Sequence, residues 1–286
     1  MTCAGSSSNA GDGLLLAING ADERLQMALG RLPETGREPG DWTGDKIGGD
    51  AEFLAAQEWS AAGQSVRFLA PGVRQLLHGL GLPAASIRRI ACVTGPGSFT
   101  GLRMSLALAE GLSAGFSEGL AERPLLGGIG HLELLGFEAA EALAGQGAVL
   151  ALAWSRRGQV YAQAFQGRTA LTPPRVAQLA EMPALLAALP RPLAVLGGGL
   201  RRNLAAFREL AAVDSGLRLL PAHWDAPRPQ ALLTLASRAA FGPGPLAPVY
   251  LRASDAEDNL AAIAAGRGLS EEEAQAILSR GSRTLS

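Results

Sequence analysis

Residues 93–103 read Val93-Thr94-Gly95-Pro96-Gly97-Ser98-Phe99-Thr100-Gly101-Leu102-Arg103, and the fold is decided there. The stretch follows an apolar, strand-like run from Ile87 to Val93, broken only by Arg88-Arg89, and leads into a helical pattern from about Phe99 to Ala114. Three glycines and a proline within seven residues allow a sharp turn, because glycine reaches positive φ and proline fixes φ near −65°. Ser98 or Thr100 then stands where a side-chain oxygen can cap the first free N–H groups of the helix. Strand, tight glycine turn shaped by Gly95, Pro96, Gly97 and Ser98, and capped helix form one unit of an α/β protein.

Working outward, Leu14 to Ile18 reads as a buried first strand, and Leu25 to Leu29 as its return in a hairpin. Residues 31–64 are rich in Gly, Pro and charge and predict a long inserted loop, with one helical turn near Ala51 to Trp59. Leu69, Val73, Leu76, Leu77 and Leu80 follow helical spacing. Pro71 is best tolerated in a first turn, so this helix is predicted to begin near Phe68 to Ala70. A short strand at Leu125 to Ile129 and a helix from His131 to Leu143 follow. Strands Val149 to Trp154 and Gln159 to Phe165, joined around Gly158, open a second half. Helix Met182 to Leu189, strand Leu193 to Leu196, helix Leu204 to Leu210, strand Leu217 to Leu220 and helix Pro229 to Phe241 continue it. Residues 1–13 read as a disordered tail. Residues 14–130 form an N-terminal lobe, 131–252 a C-terminal lobe, and 253–286 a charged tail whose Ser270-Glu271-Glu272-Glu273 fits a capping box.

Composition narrows the function classes. The 286 residues include 25 Lys and Arg against 26 Asp and Glu, a formal net charge of −1. Nucleic-acid binding through phosphates needs clustered cations. Here only the pairs Arg88-Arg89, Arg156-Arg157 and Arg201-Arg202 could make local patches. Two cysteines, Cys3 and Cys92, make no disulfide framework or cysteine metal site. The first residues lack a basic start and an apolar core, and no run approaches the ~18 apolar residues of a membrane span. A cytoplasmic protein with no membrane association is expected.

The glycine turn invites a phosphate-loop reading, since a helix N-terminus favours anions. The phosphate-loop pattern demands a lysine and a hydroxyl after its last glycine, and this chain has Leu102-Arg103 there. The histidines, His78, His131 and His223, lie far apart without metal-ligand spacing. Along the helix, Gly101, Ser105, Ala109 and Ser113 recur every four residues as a stripe of small side chains. The stripe permits close approach of a neighbouring helix, or of the chain's own sheet. Leu102, Leu106 and Leu112 flank it on one side, Met104 and Leu108 on the other.

The stretch Gly95 to Gly115 resembles the signature of the bacterial TsaB family, also called YeaZ. Gly158-Gln159-Val160-Tyr161-Ala162 is similar to that family's G-E-V-Y-A strand, and Pro248-Val249-Tyr250-Leu251-Arg252 to its P-x-Y-L-R. The resemblance implies a two-lobed actin-like, RNase-H-like fold of mixed sheets flanked by helices. It implies a scaffold or dimerisation subunit of the machinery that forms N6-threonylcarbamoyladenosine at position 37 of certain tRNAs. The partners implied are a TsaD-like transferase, a TsaE-like ATPase through the complex, and a second copy of the chain when alone; direct contact with tRNA stays open. Relatives commonly carry D-T-S on the first strand and D-A-R before G-E-V-Y; this chain has Asn19-Gly20-Ala21 and Trp154-Ser155-Arg156. The H-x-x-x-H pair of the catalytic TsaD or Kae-type sister family is absent too. The resemblance therefore implies a non-catalytic subunit with no catalytic residues, metal or cofactor. The implied interface runs over Leu69, Val73, Leu76, Gly101, Arg103, Ser105, Ala109 and Leu112. Arg103 there meets a carboxylate across the interface or within the chain. A homodimeric structural module, an ATP-binding enzyme and a glycoprotease-like peptidase are the alternatives.

Overall fold

The computed structural model describes residues 13–33, 49–60, 65–115, 123–143, 146–252, 264 and 270. The chain divides into two compact units, residues 1–249 and 250–286, and the architecture that follows is that of the first. Its first sheet begins with β1 (Leu14–Asn19), β2 (Arg24–Arg31) and β3 (Glu52–Ser60), an antiparallel meander. Helix α1 (Ser65–Gly79) leads to β4 (Ile87–Gly95), parallel to β1, and α2 (Phe99–Gly115) to β5 (Leu125–Gly130), parallel to β4.

Helix α3 (His131–Ala142) then crosses to a second sheet of similar plan. There β6 (Ala148–Arg156), β7 (Gln159–Gln166), β8 (Thr169–Ala170) and β9 (Arg175–Gln178) pair antiparallel. After α4 (Met182–Ala187), β10 (Leu193–Leu196) joins β6 in parallel. Helices α5 (Gly198–Arg202) and α6 (Leu204–Val213) precede β11 (Leu217–Leu219), which is parallel to β10. Finally α7 (Pro229–Ser237) leads to β12 (Phe241–Gly242). The orders are β12-β5-β4-β1-β2-β3 and β11-β10-β6-β7-β8, with β9 also on β7.

Alternation along the strands explains how the first sheet is covered on both faces. Leu14, Leu16 and Ile18 of β1, with Leu25, Met27 and Leu29 of β2, meet α1 and α2 through Leu69, Val73, Leu76, Leu77, Leu106 and Ala109. The opposite face, Leu15, Ala17, Ala28, Ala91 and Val93, meets α3 and α7. In the second sheet Leu150, Leu152, Val160 and Ala162 pack on Met182, Leu186, Leu200 and Phe207. Fully burying one such side chain contributes about 1.5–3 kcal/mol, so the cores rest on β-strand alternation more than on any single contact.

Three expectations are corrected. Residues 52–60 form a strand rather than a loop with a helical turn. As an edge strand β3 is only half covered, so its apolar and polar positions mix and hide the period of two. Helix α1 begins at Ser65, before the predicted start, and holds Pro71 in its second turn. Pro71 is exposed, so the carbonyl one turn earlier that loses its N–H partner can be solvated. The helix from Pro229, assigned to the second half, lies instead on the first sheet against β1 and β2, and β12 pairs with β5. Leu232 and Leu233 are buried there. Gly30 makes room, since a Cβ on it would meet Leu233 Cδ2 at 2.5 Å. The expected tail 1–13, except Gly13, most of the insertion and the helix from Ser270 fall outside the described residues, as does Cys3.

Candidate docking surface and lobe junction

The glycine turn is an interlock with the β1–β2 turn. Gly95 has φ 129°, and a Cβ there would meet the Val249 carbonyl oxygen at 2.7 Å while Val249 N–H donates to Thr94 O at 2.8 Å. A Cβ on Gly97 would run into the Ala21 carbonyl, and one on Gly101 into the Gly20 carbonyl. Ser98 N–H donates to Ala21 O at 2.7 Å, and the Ser98 hydroxyl accepts from Gly101 N–H at 3.3 Å. Ser98, not Thr100, is therefore the cap. The glycines serve backbone-to-backbone contact, and the first turn of α2 is occupied by Gly20 and Ala21.

Pro96 ties this turn to the crossing helix. His131 is fully buried, and its Nδ1 lies 3.0 Å from Pro96 O. A carbonyl only accepts, so Nδ1 carries the proton and Nε2 is left buried without a partner among the described residues. Burial pushes the imidazole pKa down, opposed by the Asp22 charge and the Pro96 bond.

The two positions at which the resemblance calls for acids, Asn19 and Trp154, hold structural side chains. Buried Asn19 accepts from Ala21 N–H at 3.1 Å and donates to Gln26 Oε1 at 2.8 Å. Gln26 donates onward to Glu58 Oε1 and Pro227 O, both at 2.5 Å. Trp154 lies under the Arg202 guanidinium, 4.9 Å from the ring centroid, and Arg202 pairs with Glu23. No group of three or more His, Cys, Asp or Glu is arranged to hold a metal among the described residues.

The small-residue stripe faces inward, which corrects its reading as a partner surface. Gly101, Ser105, Ala109 and Ser113 are all buried by the chain's own fold. Ser105 Oγ donates to Gly101 O at 3.0 Å, and Ser113 Oγ donates to Pro124 O at 2.8 Å. Leu69, Val73 and Leu76 of α1 are likewise core residues. Cys92 lies beneath, its thiol pKa driven up by burial and further by Glu110, so it remains a protonated, inert core residue. Of the eight positions expected at an interface, Arg103 is exposed and Leu112 half-buried. Leu112 packs against the same core, whereas Arg103 belongs to a different strip, its guanidinium carbon 3.8 Å from the Phe99 ring centroid, with Ala107 and Gly111 following at helical spacing. Val66, Ala70 and Arg74 continue the exposed surface on α1. Ala107 and Gly111 are as small as the buried stripe, so residue size alone gave no sign of which side looks out.

The family model described as TsaD, tRNA N6-adenosine threonylcarbamoyltransferase, matches residues 60–235. The chain belongs to the TsaD family. Its similarity within that family is to TsaB/YeaZ-type proteins. It is 27% identical over 197 residues to the tRNA threonylcarbamoyladenosine biosynthesis protein TsaB of Bacillus subtilis (strain 168), covering 68% of this chain and 81% of that protein. Crystal structures of YeaZ and of a YeaZ-like protein, both from Pseudomonas aeruginosa, superpose with TM-scores of 0.56 and 0.57 at 21% identity. Each covers 84% of this chain and all of its own. Two mixed sheets flanked by helices thus form the two-lobed, actin-like, RNase-H-like fold in this TsaD-family chain. No helix among its described residues is long and apolar enough to cross a membrane.

Proposed function

We propose that this TsaD-family chain is a non-catalytic scaffold subunit in the formation of threonylcarbamoyladenosine in tRNA, docking on a TsaD-like transferase. Its contribution is to bias the transferase toward a competent arrangement, a shift of populations rather than a reaction. The observation that carries this reading is the fate of the two acidic positions. Asn19 is consumed by a buried hydrogen-bond network and Trp154 is covered by Arg202, so neither offers a carboxylate to a metal–nucleotide. The docking surface is the outward strip of α2, Phe99, Arg103, Ala107 and Gly111, with the exposed side of α1 beside it. A second copy occupies the same surface when the transferase is absent.

Size-exclusion chromatography with light scattering tests this, on the chain alone and mixed with the TsaD-like homologue from the same genome. The expected result is a mixed complex that Arg103→Glu or Ala107→Glu abolishes while circular dichroism shows each variant folded, since both side chains are exposed; melting stays unchanged for Ala107→Glu and falls slightly for Arg103→Glu, which loses the contact with Phe99. A chain that ignores the homologue, or pairing that survives both substitutions, refutes the proposal.

A further inference from the structure

Away from the glycine turn, α3, the β7–β8 turn and the end of α7 line an open-sided cavity of about 350 Å³. Sites for small molecules span roughly 300–1,000 Å³ and combine an apolar lining with a few convergent polar groups. This cavity has that composition. Phe137, Phe165 and Leu235 form the apolar part, and Glu133, Arg168 and Arg238 the polar part.

The placement of charge is specific. Arg168 comes from the β7–β8 turn of the second sheet and Arg238 from the end of α7 on the first. Their guanidinium carbons lie 5.5 and 5.1 Å from the centroid of the same ring, Phe137 of α3. Two cations from different sheets thus converge on one aromatic side chain. Each is anchored by an acid: Arg168 through Nη2 to Glu141, and Arg238 through Nε and Nη2 to Asp50. A guanidinium has five N–H donors, and these side-chain bonds use one of Arg168 and two of Arg238. Glu133 sits one helical turn before Phe137, on the same side of α3, and has no ion-pair partner among the described residues. The cavity therefore offers two cations and one carboxylate around an apolar floor. With Asp50 and Glu141 included, acids outnumber arginines, which disfavours a simple multivalent anion. Gly167, with φ 55° and nothing within 4 Å of a Cβ position, keeps an open approach past Arg168.

We propose that this cavity binds a small zwitterion with an apolar body, the chemical class of an α-amino acid with an apolar side chain. Its carboxylate accepts from Arg168 and Arg238, its ammonium donates to Glu133, and its side chain lies on Phe137, Phe165 and Leu235. The bound molecule bridges groups from both sheets. The site is separate from the α1–α2 surface, so the docking proposal stands or falls without it.

Titration calorimetry on the full chain with L-phenylalanine and L-leucine tests the idea, alongside N-acetyl-L-phenylalanine and L-phenylalaninamide. Saturable binding of the free amino acids is expected, with each blocked analogue about tenfold weaker, as for loss of one charge-assisted hydrogen bond. Glu133→Gln should weaken L-phenylalanine about tenfold and leave the N-acetyl compound unchanged; Arg168→Gln should weaken L-phenylalanine and leave the amide unchanged. Both side chains are exposed, and melting curves verify that each variant is folded. No saturable heat with either amino acid up to about 10 mM overturns the proposal. So does binding that is indifferent to both substitutions.

Discussion

Gly101 and Gly111 lie on the same helix, and the same substitution should move stability in opposite directions. In a helix interior, glycine is less favourable than alanine by about 0.8–1.0 kcal/mol. At Gly111 nothing lies within 4 Å of the added Cβ, so Gly111→Ala gains the whole of that term. At Gly101 the Cβ collides with the Gly20 carbonyl and sits 3.3 Å from Ser98 Oγ. The obstacle is backbone, held between buried Asn19 and the Ser98–Ala21 hydrogen bond, and it cannot swing aside as a side-chain tip could. Overpacking of this kind costs about 1–3 kcal/mol. Taking the upper end and crediting the helix term, Gly101→Ala should lose about 2 kcal/mol, so the two variants differ by about 3 kcal/mol. At roughly 2–4 °C per kcal/mol for a chain of this size, their melting points should lie about 6–12 °C apart. Urea titration followed by far-ultraviolet circular dichroism gives the free energies and reveals any change in slope. If Gly101→Ala melts at or above the parent, the Gly20 carbonyl does not constrain the turn, and glycine at 101 is not there for backbone contact.

An acid placed at Asn19 on the first strand should not create a metal–nucleotide site. Asn19→Asp removes the donor to Gln26 and buries a carboxylate, so it should destabilise by about 1–3 kcal/mol near neutral pH, and less in acid as the raised pKa lets the carboxyl protonate; an unchanged urea midpoint contradicts this. The depressed pKa of His131 means that the unfolded chain takes up a proton first as pH falls below about 6.5. Stability should therefore be full above that pH and decline toward pH 5, and His131→Gln should flatten the decline in urea midpoints measured across that window. Leu232→Ala, on the helix that returns to the first sheet, should cost about 2–5 kcal/mol, whereas the half-exposed Leu171→Ala should stay within about 0.5 kcal/mol; equal effects would mean that α7 is not part of that core.

The strand–turn–helix unit was legible because glycine and proline act locally, and so were the short apolar-rich runs of β1, β2, β6 and β7. The face of α2 was not. Gly101, Ser105 and Ala109 are small because a sheet and a turn press on them, while Ala107 and Gly111 are small and exposed. Helical spacing identifies a stripe but cannot say which side the sheet takes. The placement of α7 was hidden for a related reason: Leu232 and Leu233 advertise burial, and only the tertiary fold says under which sheet. The strand at 52–60 was missed because an edge position leaves half its residues wet. The cavity beneath Arg168 and Arg238 had no sequence signal, since its members come from residues 128–168 and 235–240 and meet only through the crossing of α3.

The return of α7 and β12 to the first sheet bears on how the chain is made. Residues 14–130 supply five of the six strands of that sheet and α3 follows at once over β4 and β5, yet the part of the face formed by β1 and β2, with Leu15, Ala17 and Ala28, acquires its cover only when residues 229–242 arrive. On the ribosome, where synthesis runs from the N-terminus at about 5–20 residues per second, some 100 codons separate the last strand supplied by 14–130 from the helix that shields it. The nascent first lobe must wait with that part of its apolar face open for roughly 5–20 seconds. That interval is where chaperones would engage this chain, and where a ribosome stalled before codon 229 would leave an aggregation-prone product.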